Sequence, residues 1–182
     1  MDCVSEFFYL VGPPAVGKLT IASELARRAD AIVVDNHLIS DPVFVPMGVH
    51  RGEPIEPTDQ LRARILDVVL EATVAAHPRF SHVFTHWLTD APDNAALVER
   101  LRGVAAQRGA KFVPVWLIAD HDELLSRVGN HDRAKRAKLL DPLILRQLLD
   151  RPLLPPPDDA LQLDVTTLSP QRAVDRILDS LG

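Results

Sequence analysis

Cysteine is almost missing from this chain of 182 residues. Cys3 stands alone, which excludes an internal disulfide and suits a reducing cytoplasm. Long apolar runs are missing too: none approaches the roughly 20 residues needed to span a bilayer, so no membrane partner is expected. The first residues lack the basic stretch of a signal peptide and carry Asp2 and Glu6 instead. Positive charge is not in excess. Twenty Lys and Arg stand against 25 Asp and Glu, and the formal net charge of −5 argues against general nucleic-acid affinity. With one cysteine, the histidines raise no expectation of a structural metal site. There is no internal repeat and no long disordered tract, and Pro155-Pro156-Pro157-Asp158-Asp159 reads as a short rigid connector. What is present is ordinary for a globular protein, at 25% charged and 47% hydrophobic residues. The length predicts one domain over 1–182 with a substantial core.

Along the chain, strand and helix patterns alternate. Strands are predicted at 6–11, 31–34, 83–87, 112–118 and 161–165. Helices are predicted at 18–29, 59–76, 94–107, 123–128 and 142–149, with a last helix from Pro170 capped by Ser169. Ala31 to Val34 reads as a buried strand. The helix over 59–76 carries Leu61, Ile65, Val68, Val69 and Ala72 at helical spacing, and the first helix carries Leu19, Ala22, Leu25 and Ala26 on one face. Pro114 suggests an irregularity in the fourth strand, and 36–58 reads as partly irregular and loop-rich. Five short strands separated by helices imply a parallel α/β sheet covered on both faces. Ligands in such folds bind beyond the carboxyl ends of the strands, where Gly12, Asp35 and Thr85-His86 converge.

The densest signal is Phe7-Phe8-Tyr9-Leu10-Val11 running into Gly12-Pro13-Pro14-Ala15-Val16-Gly17-Lys18. This strand, glycine-flanked loop and helix match the G-x-x-x-x-G-K pattern of a phosphate-binding P-loop. Successive N–H groups and a helix N-terminus face the anion, and Lys18 reaches the outer phosphates. The usual Ser or Thr after the lysine, which holds Mg²⁺, is replaced by Leu19. Thr20 comes one position later, rotated by about 100° on the helix. Phosphate binding is therefore better supported than metal-assisted catalysis, with Thr20, a carboxylate or waters as the remaining ways to hold the metal.

With the P-loop, Asp35 and the basic stretch Arg127 to Lys138 in place, the chain resembles the small P-loop kinases. These include shikimate, gluconate and nucleoside monophosphate kinases and chloramphenicol phosphotransferase. The resemblance covers nearly the whole chain. It implies a P-loop NTPase fold, three-layer α/β/α, with a five-stranded parallel sheet in the order 2-3-1-4-5 and a mobile lid at about 129–140. It implies ATP as donor with Mg²⁺, a small-molecule acceptor held by a segment at about 36–58, and a cytoplasmic monomer or homodimer. Gly12, Pro13, Pro14, Ala15, Val16, Gly17, Lys18, Leu19 and Thr20 would bind the nucleotide phosphates, and Arg127 would lie near the adenine. Asp35 would be the base or a metal-facing carboxylate, a position equally suited to a helix N-cap. Arg133 and Arg136 would stabilise charge from the lid, unless they form a solvated basic face. Asp35, His37, Arg51 and Thr85 are the acceptor-site candidates. Arg51 either pairs with an anionic acceptor or is simply solvated. His86, alternating with apolar neighbours, reads as a satisfied core or edge histidine. The expected activity is transfer of the γ-phosphoryl group to a hydroxyl. A phosphate acceptor, or ATP binding with little transfer, are the alternatives.

Overall fold

A computed structural model describes residues 4–128, 146 and 148–182. Strand β1 (Glu6–Val11) leads into helix α1 (Lys18–Ala29), β2 (Ala31–Val34), α2 (Asn36–Phe44), α3 (Asp59–Ala75), β3 (Ser81–His86), α4 (Pro92–Gln107), β4 (Lys111–Ile118), α5 (His121–Val128), β5 (Leu161–Asp164) and α6 (Pro170–Asp179). The five strands form one sheet in the order β2-β3-β1-β4-β5, with every pairing parallel. This is the expected fold class.

β1 lies at the centre and is almost wholly buried, as its unbroken run Phe7-Phe8-Tyr9-Leu10-Val11 requires. Successive side chains alternate between two cores. Phe8 and Leu10 join Ile21, Ala22 and Leu25 of α1 and Ala173, Val174 and Ile177 of α6. Phe7, Tyr9 and Val11 join Leu70 of α3 and Val98, Leu101 and Val104 of α4. Phe7 also stacks on Phe84, with ring centroids 4.9 Å apart. Burying each such aromatic contributes about 2–3 kcal/mol relative to exposure.

The structure corrects several sequence expectations. β2 is an edge strand with Ile32 exposed, so its apolar run reflects β propensity more than burial. In α3 the buried residues are Leu70 and Thr73, while Leu61 and Val68 are exposed, so the buried face is offset from the apolar stripe. In α1, Leu19 is only half-buried and points away from the core that holds Ile21, Ala22 and Leu25. β4 keeps an unbroken register with β1 through Pro114. The β5 pairing begins only at Val115, so the missing N–H of Pro114 disturbs no ladder. The segment 36–58 opens with the nine-residue helix α2, and beyond it two short 3-10 turns, Val49–Arg51 and Glu56–Thr58, leave it partly irregular as expected. Ser169 caps α6 as expected, accepting from the Arg172 N–H at 3.3 Å.

Arg108, at the end of α4, closes the C-terminus of α3. Its guanidinium donates to the carbonyls of Thr73, Ala76 (3.1 Å), His77 (3.3 Å) and Phe80 (2.8 Å), satisfying groups that the helix end leaves open. Among the described residues, no helix is long and apolar enough to cross a membrane.

Candidate phosphate and acceptor site

The Gly12–Lys18 loop folds as its sequence demands. Gly12 passes so close to β4 that a Cβ there would lie 2.7 Å from the Leu117 carbonyl oxygen. Gly17 takes φ +98°, a conformation that an L side chain rarely adopts, and Ala15 shares the left-handed region at +68°. Left-handed residues between right-handed ones turn successive N–H groups to one side, a backbone form of the kind that can receive an anion. The loop is anchored to the sheet by the Gly12 N–H, which donates to the His86 carbonyl at 3.2 Å. Lys18 folds back across it, donating to the carbonyls of Gly12 (2.7 Å) and Pro13 (2.9 Å). A phosphate arriving in the loop would compete with those carbonyls for the ammonium.

Asp35 stands at the junction of β2 and α2. Its backbone is the N-cap of α2, with φ −72° and ψ 147°, yet its side chain makes no capping bond. Instead Oδ1 accepts the hydroxyl of Thr85 at 2.5 Å. Thr85, fully buried at the end of β3, in turn accepts the Asn36 N–H at 3.2 Å. Asp35 is thus held from the adjacent strand, and Asp35 and Thr85 come together as the sequence suggested.

Asp35 lines an open cleft of about 490 Å³ with Leu19, Val33, His37, Leu38, Asp41 and Pro42. His37 Nδ1 lies 3.1 Å from Asp41 Oδ1, and His50 Nε2 lies 3.7 Å from the same oxygen. Sequence reasoning missed Val33, Leu38, Asp41 and Pro42. The available signal was Asp41 four residues after His37, one helical turn along the same face. Arg51 is exposed and does not line this cleft, and Thr20 is exposed on α1 outside it.

Arg127 joins the loop to the far side of the sheet. Its Nε contacts Glu123 at 2.7 Å, and its Nη atoms donate to the carbonyls of Val16 (3.3 Å), Val165 (3.1 Å) and Thr166 (3.0 Å). His86 is buried beneath the loop, where burial and then the charge of Lys18 push its pKa down to about 4. Its Nδ1 has no partner among the described residues, so it is not the satisfied histidine expected. His82 and His86 are four apart, but on a strand that separation is about 13 Å, too far to share a metal. Among the described residues no cluster of three or more His, Cys, Asp or Glu side chains could hold a metal ion. Arg133, Arg136 and the proposed lid at 129–140 lie outside the described residues.

For magnesium, the observations divide. Leu19 brings a hydrocarbon to the position that usually supplies a hydroxyl. The fixed Asp35 carboxylate is a hard oxygen donor of the kind Mg²⁺ takes, and Mg²⁺ keeps most of its waters in such sites. The site fits a metal carried on nucleotide phosphates and met by one carboxylate.

Comparison with known proteins agrees with this geometry. The model of the AAA domain family matches residues 7–149. No curated protein matches the chain. Among solved structures, a gluconokinase from Sinorhizobium meliloti 1021 is 16% identical with a TM-score of 0.68, over 98% of this chain and 92% of that one. The APS kinase of Mycobacterium tuberculosis, solved with AMPPNP and APS, is 19% identical with a TM-score of 0.59 over 98% of both chains. Shikimate kinase from Aquifex aeolicus is 17% identical with a TM-score of 0.54, over 96% and 94%. At these identities the likeness concerns the fold. The chain belongs to the AAA domain family and carries the P-loop fold shared by small-molecule kinases.

Proposed function

We propose that the protein is an ATP-dependent kinase that transfers the γ-phosphoryl group to a hydroxyl of a small molecule. The observation that carries this reading is the Asp35–Thr85 pair, fixed at 2.5 Å on the lip of a cleft that adjoins the P-loop helix through Leu19. In this reading 1–182 act as one unit, with 36–58 receiving the acceptor and 129–140 closing as a lid that carries Arg133 and Arg136. The N–H groups of the Gly12–Lys18 loop bind the phosphates, and Lys18 exchanges its loop carbonyls for them. Asp35 accepts the proton of the acceptor hydroxyl as its oxygen bonds to the γ-phosphorus and the bond to the leaving ADP oxygen breaks. Thr85 holds the carboxylate so that little reorganisation is needed during reaction. A bound Mg²⁺ would neutralise phosphate charge and would face Asp35 through its own waters.

One observation favours a second reading. Leu19 removes the hydroxyl that normally seats the metal, which suits a protein that binds ATP with little transfer. Both readings are tested by measuring Mg²⁺-dependent ADP release against sugars, nucleosides, hydroxy acids and antibiotics. A kinase releases ADP faster with one acceptor class, and Asp35→Asn lowers that rate by at least about a hundredfold with ATP affinity little changed. Lys18→Ala weakens ATP binding by about tenfold. ATP binding without acceptor-stimulated ADP release would leave the second reading in place.

A further inference from the structure

The geometry points to the class of acceptor: an uncharged or cationic hydroxyl compound with an apolar face, and not a carboxylate or phosphate ester. This rests on the kinase reading of the same cleft. The cleft volume of about 490 Å³ lies within the ordinary range for small-molecule sites. Its lining mixes two chemistries. Leu19 from α1 and Leu38 and Pro42 from α2 offer hydrocarbon, and Leu38 remains 58% exposed, an apolar surface next to Asp35 with little covering it. Asp35, His37 and Asp41 line the same cleft.

Charge decides the class. Two carboxylates line the cleft, and no lysine or arginine is among its described lining residues. The imidazoles of His37 and His50 both lean on one oxygen of Asp41, at 3.1 and 3.7 Å, and so are already committed to a carboxylate. An anionic acceptor would bring a third negative group against Asp35 and Asp41 with no fixed cation among the described lining residues, and like charges so placed repel. A protonated amine would instead meet Asp41, and a neutral compound would suffer no penalty. The leucines reward an apolar face in either case, as burial of hydrocarbon does generally. Leu19 thereby gains a use: the side chain that displaces the metal hydroxyl becomes part of the wall against which the acceptor packs.

The test uses three probes that share a benzyl group and a hydroxyl and differ in charge: phenylpropanediol, phenylalaninol and phenyllactate. Their binding to the full chain, saturated with ADP and Mg²⁺, is read by saturation-transfer NMR titration. The diol and the amino alcohol are expected to bind at least about tenfold tighter than the hydroxy acid. Asp41→Asn should erase the advantage of the amino alcohol over the diol, and Leu38→Gln should weaken both. Phenyllactate binding as tightly as the others, or no binding by any probe at millimolar concentration, overturns the assignment. ADP release is followed in parallel. If it is intact and stimulated by an anionic acceptor, the kinase reading stands and the acceptor class falls. If the charge preference holds but no acceptor stimulates ADP release, the class of ligand stands and the kinase reading falls.

Discussion

Thr85 is the residue-scale feature with the clearest consequence. Thr85 cannot take a proton, but its hydroxyl reaches the neighbouring strand end and grips Asp35, while accepting the Asn36 N–H behind it. One buried side chain thus joins β3 to the start of α2. Thr85→Val keeps the shape and removes both bonds, leaving the part-buried Asn36 N–H without this acceptor; the expected stability cost is about 1–3 kcal/mol. Turnover should fall by about tenfold because Asp35 loses its orientation, and Thr85→Ser should restore most of it. A Thr85→Val variant with unchanged turnover, or a Ser variant as slow as Val, would show that the pair is only structural. Urea denaturation and steady-state ADP release give the two readouts.

At the scale of elements, the legible parts were those where local chemistry and tertiary context agree. The Gly12–Lys18 loop, α1 and the Ser169-Pro170 start of α6 are written in glycine, cap and proline chemistry that acts within a few residues, and each formed as expected. β2 and α3 were harder to read because their environments come from other elements. An edge strand and a central strand share the same apolar run, and only the strand order exposes Ile32. α3 carries apolar residues around most of its circumference, so periodicity could not say that Leu70 faces the sheet while Val68 faces solvent. The candidate site divides in the same way. Asp35 and Thr85 were visible as strand ends, whereas Leu38, Asp41 and Pro42 became site residues only because α2 folds over Asp35. Arg127 is an element-scale device of this kind, tying α5 to the P-loop carbonyl of Val16 and to the turn after β5. Arg127→Lys retains charge but cannot supply the guanidinium fork, so ATP affinity should drop by about three- to tenfold, nearly as much as in Arg127→Ala. Isothermal titration with a non-hydrolysable ATP analogue measures it; a Lys variant that binds as well as the parent would assign Arg127 a purely electrostatic part.

For the molecule as a whole, acid should be the condition that most weakens the fold, and two histidines make the reason specific. His82 and His86 are buried in β3 on the sheet face they share with Phe7 and Tyr9. Burial lowers the pKa of each from 6.5 to about 4, helped at His82 by the charge of Arg108 and at His86 by that of Lys18. Both are therefore neutral in the folded chain at pH values where an unfolded chain already binds protons. The unfolded state takes up more protons through this window, so stability rises with pH and is lost as pH falls from about 6.5 to about 4. Each shift corresponds to on the order of 3 kcal/mol, a large part of the 5–15 kcal/mol that holds a typical domain together. The carboxylates held low by partners, Asp159 by Arg102 and Asp164 by Thr166, act in a more acidic window, below the ordinary aspartate range. The two contributions separate on a pH axis. Urea midpoints measured between about pH 7 and pH 4 should fall steeply in the parent chain. His82→Phe, which lets a ring remain stacked beside Phe7, should remove about half of that slope while leaving the fall at lower pH in place. An unchanged slope in the variant would move the acid sensitivity away from β3 and onto other titrating groups.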